Sequence, residues 1–355
     1  MNDQEVNSGV AEIDGSCPDI EKASSLNNIP PEIKLKTEVF GIDFHPISNV
    51  VAAGEINGRV TLYSISPEGN KTLLTLKQHK KACRSVLFSK TGDKLYSCSK
   101  DKSIKVTDMN TGSVLHDKQK AHEKPINCME IISENYMASG SDDGVVKIWD
   151  ARTFNVIAEH KEHKEYISDM TCDKEGRFLL CTSGDGVLSV FNTRKKKIDG
   201  LSDQQDDELL SVKIAKNKQK VVCGSSSGSL SIFSWGEWGD ISDRVPDLGD
   251  GIDSICLISD DVICTGSGDG VISAFYVQPH RAVGIIGKHG SFGIENLKYS
   301  PDKLLLGSSS ETTIKFWDVS HLQEETCEPI KQKKTQRKRK LEESSKKEND
   351  FFADL

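Results

Sequence analysis

Residues 138–150, ASGSDDGVVKIWD, contain the pattern on which the fold depends. A strand of small residues leads into the tight turn Ser141-Asp142-Asp143-Gly144, and the segment VVKIW that follows is apolar and rich in β-branched residues. Hairpin turns of the Asp-Gly type need positive φ angles, which glycine adopts without steric cost. The stretch therefore predicts two antiparallel β-strands joined by a tight hairpin.

The same pattern recurs seven times, and its spacing is almost constant. The recurring segments are GRVTLYS, DKSIKVTD, DGVVKIWD, DGVLSVFN, SGSLSIFS, DGVISAFY and ETTIKFWD. Measured at the position of Trp149, the first interval is 44 residues and the next five are 42 residues each. Several short strands per unit at this period predict four-stranded blades around a channel. We therefore expect an all-β fold, a seven-bladed β-propeller.

These units resemble the WD-repeat family, and the resemblance covers about residues 33–320. Two units keep the Trp-Asp pair itself. The residues that stand where the family places its structural hydrogen-bond network are His122, Ser139, Asp143 and Trp149 in the third unit and His289 and Trp317 in the seventh. An indole N–H only donates and a carboxylate only accepts, so a histidine can bridge the two through its two ring nitrogens. The resemblance implies such a bridge from His122 to Asp143.

The other units depart from this pattern. Phe191 replaces the tryptophan in the fourth unit and cannot donate a hydrogen bond, and the fifth unit has no clear histidine. These departures put the networks of units one, two, four, five and six in doubt, while the hydrophobic register survives. Because His79, His122, His163 and His289 recur at the repeat spacing, we assign them a structural role.

The chain divides into three parts. We expect a disordered acidic segment over residues 1–32, the propeller over 33–320, and a disordered basic tail over 321–355. The alternating segment Ile33-Lys34-Leu35-Lys36 precedes the first blade. A ring must close to remove its open strand edges, and the resemblance implies that an N-terminal strand completes the last blade, so we expect this segment to pair with the seventh blade.

The charge is distributed unevenly along the sequence. The whole chain carries −8, and residues 321–355 carry nine Lys/Arg and eight Asp/Glu, so the rest carries −9. An acidic body repels phosphate, so we expect any RNA contact only through the tail. The tail contains a basic run of Lys331, Lys333, Lys334, Arg337, Lys338, Arg339 and Lys340. Such a run is typical of a nuclear-import signal, and the alternative is a solvated charged tail.

Composition excludes several other classes. No apolar run reaches the length of a membrane helix, and residues 1–26 lack the pattern of a signal peptide, so we expect a soluble intracellular protein without membrane contact. The ten cysteines form no C-x-x-C pair, which argues against structural zinc. Gly224-Ser225-Ser226-Ser227-Gly228 matches the hydrolase motif G-x-S-x-G, but it falls on a predicted hairpin rather than a strand-to-helix turn. We predict no catalytic residue, no metal and no cofactor.

Two surface features are candidates for docking a partner. Trp149-Asp150-Ala151-Arg152 is a W-D-x-R string, and Arg194 repeats its arginine in the fourth unit. The string resembles the box by which some WD-repeat proteins dock the adaptor of cullin–RING ubiquitin ligases, and the alternative is an exposed arginine at a strand end. Trp235 and Trp238 are either interface anchors or a cover for an irregular outer edge.

The whole-chain pattern is closest to a nucleolar branch of the WD-repeat family. That resemblance rests on TEVFGIDFHP, KQHKKACRSVLFS, ASGSDDGVVKIWD and the lysine-rich tail. It implies a non-enzymatic scaffold in ribosomal RNA synthesis or processing and ribosome biogenesis, located in the nucleus and nucleolus with some protein in the cytoplasm. Its implied partners are pre-ribosomal assembly factors, and the ring is expected to be a monomer. The alternative function is a substrate receptor of a cullin–RING ligase.

Overall fold

The β-patterned repeats form seven separate four-stranded sheets. The structure is a computed structural model, and it describes residues 29–300, 302 and 304–324. Each sheet is antiparallel, and in six of them the four strands are neighbours in the order in which they follow one another in sequence. The prediction of a seven-bladed, all-β propeller is therefore confirmed.

The strand bounds show how regular the units are. The first half of the chain contains β1 (Ile33–Lys34), β2 (Val39–Phe44), β3 (Val50–Glu55), β4 (Arg59–Ser64), β5 (Lys71–Lys77), β6 (Cys83–Phe88), β7 (Lys94–Ser99), β8 (Ile104–Asp108), β9 (Val114–Lys118), β10 (Ile126–Ser133), β11 (Tyr136–Ser141), β12 (Val146–Asp150), β13 (Asn155–His160) and β14 (Ile167–Cys172). The second half contains β15 (Phe178–Ser183), β16 (Leu188–Asn192), β17 (Lys197–Leu201), β18 (Leu209–Ala215), β19 (Lys220–Ser225), β20 (Leu230–Ser234), β21 (Asp243–Val245), β22 (Ile252–Leu257), β23 (Val262–Ser267), β24 (Val271–Tyr276), β25 (Arg281–Lys288), β26 (Asn296–Ser300), β27 (Leu305–Ser310), β28 (Thr313–Asp318) and the short helix α1 (His321–Glu324).

The hairpin quoted at the start of the sequence analysis has the register that its pattern predicts. Met137 pairs with Trp149 and Gly140 with Val146 across β11 and β12. Gly144 closes the turn with a φ of 74°, and a Cβ there would meet the backbone carbonyl of His163 in the next blade. The glycine therefore serves both the turn and the close approach of two blades.

The apolar core lies between the blades rather than within one blade. One cluster joins Ile148 of the third blade to Ile167, Met170 and Phe191 of the fourth. All four side chains are at most 2% exposed. Each sheet buries its two faces against its two neighbours, so no blade has a complete core by itself.

The ring closes through its N-terminal strand. Ile33 of β1 pairs with Ile314 of β28, and β1 is the outermost strand of the seventh blade. The backbone N–H groups of Leu35 and Val39 donate to the carbonyls of Thr312 and Glu311, both at 2.7 Å. The predicted pairing of the N-terminal segment with the seventh blade is confirmed.

The described structure extends beyond the expected C-terminal boundary. Residues 321–324 form α1, and Leu322 in this helix is fully buried, so the folded part continues past residue 320. At the other end, Ile29 packs against the cluster of the first and seventh blades. No helix in the described part of the chain is both long enough and apolar enough to cross a bilayer. The basic run at 331–340 lies outside the described residues, as do residues 1–28.

Closure by β1 makes a testable prediction about stability. Ile33 is 5% exposed, so Ile33→Ala should lower the free energy of unfolding by about 2–4 kcal/mol through lost burial and a residual cavity. Lys34→Ala, in the same strand with an exposed side chain, should change it by less than about 0.5 kcal/mol. Urea denaturation of both variants measures the difference, and equal midpoints would contradict closure through Ile33.

Candidate functional site

The third-blade network is centred on a serine hydroxyl. His122 Nε2 lies 2.7 Å from Ser139 Oγ, and Trp149 Nε1 donates to the same oxygen at 2.8 Å. All three side chains are at most 1% exposed. Ser139 sits in the middle of β11 and Trp149 near the end of β12, so the hydroxyl links the loop carrying His122 to two strands.

Asp143 does not take the place expected for it. Its carboxylate accepts a hydrogen bond from Ser141 Oγ at 2.5 Å, while Nδ1 of His122 has no hydrogen-bond partner in the described structure. The expected bridge from His122 to Asp143 is therefore wrong in this blade. The physical reason is local, because Ser141 is two residues from Asp143 and satisfies the carboxylate within the turn.

The seventh blade repeats the serine-centred arrangement. His289 Nε2 lies 2.6 Å from Ser308 Oγ, to which Trp317 Nε1 donates at 2.8 Å. The other ring nitrogen of His289 lies 3.3 Å from Thr313 Oγ1. The two units that keep the Trp-Asp pair thus share one geometry.

The second blade builds a network without tryptophan. His79 contacts Ser97 and Ser103, both at 2.9 Å, and Ser97 donates to Gln78 Oε1 at 2.7 Å. The amide of Gln78 donates in turn to Thr107, which stands at the tryptophan position. The sequence analysis did not predict that Gln78 and Thr107 replace the tryptophan in this network. The sequence contained a clue, because a glutamine beside the repeat histidine can supply the hydrogen bond that a buried threonine needs.

The fourth blade shows the histidine–aspartate contact that the third lacks. His163 Nδ1 lies 3.3 Å from both carboxylate oxygens of Asp185, and its Nε2 lies 2.6 Å from Ser189 Oγ. Phe191 fills the tryptophan position as a fully buried ring that stacks on His160 at 4.4 Å. Networks that were in doubt from the sequence are thus present in blades two and four, in altered form.

Burial controls the protonation of these histidines. Removal from solvent lowers the pKa of His122 to about 4 and that of His289 to about 4, and the nearby lysines Lys147 and Lys315 act in the same direction. Both rings are therefore neutral near pH 7, and each offers one donor and one acceptor. The networks fix the loops of one rim relative to the strands.

The W-D-x-R string begins at Trp149 and continues into the turn after β12, which lies at the other end of this strand from the turn that contains Asp143. Arg152 donates through Nε and Nη2 to the two carboxylate oxygens of Asp150, at 3.1 and 2.8 Å. The arginine side chain is 63% exposed. The pair holds the guanidinium at the rim, and it also neutralises much of its charge.

Arg194 occupies the corresponding turn of the fourth blade with a different partner. Asn192 stands where Asp150 stands in blade three, and it accepts a hydrogen bond from the backbone N–H of Lys195 at 3.0 Å. Arg194 is exposed, and its side chain forms no hydrogen bond or ion pair within the described ranges. The two arginines are therefore not equivalent.

The two tryptophans cover a joint between blades. Trp238 is only 8% exposed, and a Cβ placed on Gly200 of β17 would collide with its indole ring. Trp235 contacts Trp238 edge to face at 5.0 Å and Phe178 of β15 at 5.6 Å. Of the two alternatives, this placement fits a cover for the outer edge, because Trp238 is not presented to a partner.

The central channel is lined by the innermost strands. It forms a cavity of about 700 Å³, with Arg84, Glu130, Asp169, Lys213 and Lys298 in its wall. Burial opposes the charge on Lys213, but Asp169, 3.0 Å away, and Glu130 outweigh it and raise the pKa of the lysine. Burial raises the pKa of Glu130. The channel charges are thus mutually compensated.

The residues considered for catalysis or metal binding lie in hairpins and in the buried parts of the blades. The G-x-S-x-G match lies at the hairpin between β19 and β20, where Ser227 Oγ donates to Asp207 at 2.7 Å. Burial raises the pKa of the Cys256 thiol to about 11. Across residues 29–300, 302 and 304–324, no three His, Cys, Asp or Glu side chains are grouped as a metal would require.

Comparison with known proteins agrees with this architecture. The sequence profile described as WDR55 matches residues 30–322, which is the whole ring. The chain belongs to the WDR55 family. Members of this family are WD-repeat propellers, a fold that typically serves as a scaffold without catalysis.

The relatives of the WDR55 family extend over most of the chain. WD repeat-containing protein 55 of Danio rerio is 48% identical over 341 residues, which cover 94% of this chain and 88% of that protein. The protein of the same name in Bos taurus is 36% identical over 344 residues, covering 95% and 90%. The homolog in Drosophila melanogaster is 36% identical over 331 residues, covering 92% of this chain but 66% of the homolog.

The buried histidines predict a pH-dependent stability of this WDR55-family ring. An unfolded histidine titrates near 6.5, and folded His122 near 4, so unfolding takes up a proton between these values. The stability is fully present above pH 6.5 and is lost as pH falls toward 4. His122→Gln should reduce this loss by about 1–3 kcal/mol. Urea denaturation midpoints of the wild type and of His122→Gln across this pH range measure the difference. If both proteins lost stability in parallel as the pH falls, His122 would not be its source.

Proposed function

We propose that this WDR55-family protein is a non-enzymatic scaffold of the nucleolus that acts in ribosomal RNA synthesis or processing and in ribosome biogenesis. The observation that carries the proposal is the family match across the ring, residues 30–322. It is supported by the basic run at 331–340, since basic segments favour nuclear import and contact with RNA. Its partners on this proposal are pre-ribosomal assembly factors.

The architecture suits a scaffold role. Turns at both ends of the strands are held by hydrogen bonds, such as the Asp150–Arg152 pair on one rim and the His122–Ser139 contact on the other. Rigid loops lose little conformational entropy when a partner binds. The buried histidines His79, His122 and His163 each hydrogen-bond to a serine within these networks, which favours a structural role over catalysis.

The basic run supplies the test of nucleolar function. Replacing its seven Lys and Arg residues with glutamine should disperse a fluorescently tagged full-length chain from the nucleolus, because the electrostatic attraction to RNA and import factors is removed. The same chain should fail to restore precursor ribosomal RNA processing in cells depleted of the endogenous protein. Imaging and gel analysis of the precursors provide the two readouts.

A matched control comes from the same tail. Lys346→Gln with Lys347→Gln removes two cations outside the run and should leave both readouts unchanged. Normal nucleolar retention and normal precursor processing in the seven-residue variant would count against the proposal.

A second candidate function is favoured by one contact, the bidentate Asp150–Arg152 pair. We infer that, if the chain is a substrate receptor of a cullin–RING ligase, Arg152 is the docking residue. It is exposed at the rim, and Asp150 fixes its orientation. Arginine in a fixed orientation pairs well with an acidic partner surface.

The ligase candidate is tested by one substitution and its repeat-related control. Arg152→Ala should abolish co-purification of the ligase adaptor while the thermal midpoint changes little, because an exposed pair contributes about 0–1 kcal/mol. Arg194→Ala, in the corresponding turn without a carboxylate, should retain the adaptor. Full adaptor binding by Arg152→Ala would eliminate this function.

A further inference from the structure

The turn between β16 and β17 has an unusual concentration of positive charge. Arg194, Lys195 and Lys196 lie in this turn, Lys197 follows them as the first residue of β17, and Arg177 lies beside them on the loop before β15. All five side chains are exposed, and none forms an ion pair or a side-chain hydrogen bond within the described residues. We call these five residues the blade-four cationic turn.

In blades two, three and seven the corresponding position after the third strand carries a carboxylate, whereas blades one, five and six have Ser64, Ser234 and Tyr276 there. Asp108, Asp150 and Asp318 each accept a hydrogen bond from the backbone N–H two residues later. In blade three the same carboxylate also binds the arginine that follows it. These turns are therefore capped and partly neutralised by one side chain.

Blade four keeps the cap and loses the counter-charge. Asn192 accepts from the backbone of Lys195 at 3.0 Å, which is the same kind of turn cap. An amide oxygen satisfies the N–H but does not balance a guanidinium. Arg194 is thus left unneutralised where Arg152 is paired.

The turn is held in place by the neighbouring loop. Thr193 N–H donates to the carbonyl of Arg177 at 2.9 Å, and Thr193 Oγ1 donates to the carbonyl of Gly176 at 2.6 Å. These bonds bring Arg177 beside Arg194. The cations are therefore clustered by the fold, as well as by their sequence.

The two carboxylates on the neighbouring loop are committed elsewhere. Asp173 is buried, accepts from the backbone N–H groups of Arg177 and Phe178, and pairs with Lys218. Glu175 also pairs with Lys218, at 3.3 Å. Asp199 on β17 is exposed and forms no ion pair with the turn. The five cations therefore outnumber the one free carboxylate beside them, and the turn presents a net positive charge to solvent.

We propose that the blade-four cationic turn binds the phosphate backbone of RNA. Four consecutive cations, with Ile198 as the exposed apolar side chain beside them, make a surface that is charged at its centre, whereas protein interfaces are depleted of charge there. Clustered lysines and arginines suffice for phosphate contacts, which carry most of the affinity in sequence-independent binding. RNA is therefore favoured over an acidic protein.

The net charge of the ring does not oppose this site. Of the net charge of −9 outside the tail, −6 lies in residues 1–32 and only −3 in residues 33–320. At about 0.1 M salt, charges more than about 10 Å apart are largely screened, so the local cluster decides the potential at the turn. The identity of the nucleic acid as RNA rests on the proposed ribosomal RNA function. The turn would add a contact on the ring to the one expected from the tail.

The test measures binding of a short fluorescein-labelled oligouridylate to the full-length chain by anisotropy at several salt concentrations. Combining Arg194→Ala, Lys195→Ala and Lys196→Ala should weaken binding about tenfold and reduce the salt slope by about 2, since each lost phosphate contact contributes about 0.7. Asn192→Asp should also weaken binding and lower the slope, because its carboxylate would clamp Arg194 as Asp150 clamps Arg152. This variant preserves the turn cap and all five cations.

The matched control is Lys161→Ala, which removes an exposed cation that is already paired with Glu159 at 2.8 Å. Its RNA affinity and salt slope should equal those of the wild type. An equal loss in Lys161→Ala, or unchanged binding in both blade-four variants, would overturn the site. A third outcome would also overturn the site. If polyglutamate bound the wild-type chain as tightly as RNA, and if the variants weakened both to the same extent, the turn would bind acidic polymers in general.

The outcome is separable from that of the proposed nucleolar function. The blade-four variants should lose affinity by the same factor in the wild-type chain and in the chain whose tail run is replaced with glutamine. If they do not, while the tail variant still disperses from the nucleolus, this site fails and the proposed function stands. If the tail variant stays in the nucleolus and processes precursors normally, the proposed function fails whatever the turn binds.

Discussion

The pairing of β1 with β28 is the constraint on which the ring depends. Each blade buries its faces only against the two adjacent blades, as the cluster shared by Ile148 and Ile167 shows. An open ring would leave one blade without a neighbour on one face, and it would expose a strand edge. Two residues of β1, with the backbone bonds from Leu35 and Val39, complete the seventh sheet and join the two ends of the ring. Local hairpins alone would not produce a stable unit.

Buried polar networks perform a second task, which is to hold the loops of one rim. Their chemistry varies from blade to blade. Blades three and seven place a serine hydroxyl between histidine and tryptophan, and blade two uses Gln78 and Thr107 instead. A buried donor without a partner costs more than a typical hydrogen bond contributes, and in blade two the glutamine supplies the partner that Thr107 needs. This compensation explains how a unit without the tryptophan still forms a regular blade.

The candidate docking residues differ in their neighbours, which neutralise some of them and bury others. Arg152 and Arg194 look alike in sequence, yet Asp150 neutralises the first and Asn192 leaves the second charged. Trp235 and Trp238 look like exposed anchors in a polar loop, yet they pack against Phe178 and Gly200. The sequence predicted which positions fall on the rims, because the repeat register places them at strand ends. It did not predict their partners, since those come from neighbouring loops and blades.

The sequence by itself determined the number of blades and the strand pairing within each blade. These follow from a period of 42 residues and from alternation within short strands, both of which are local properties. The closing role of Ile33 was expected from the family resemblance, and its pairing with Ile314 confirms it. Only the tertiary structure decided that Asp143 binds Ser141 and not His122, that Leu322 extends the folded part beyond residue 320, and that Arg177 joins the cations of the next turn. Hydrogen bonds and packing contacts require positions within a few tenths of an ångström, and those positions are set where separate loops and blades meet in space.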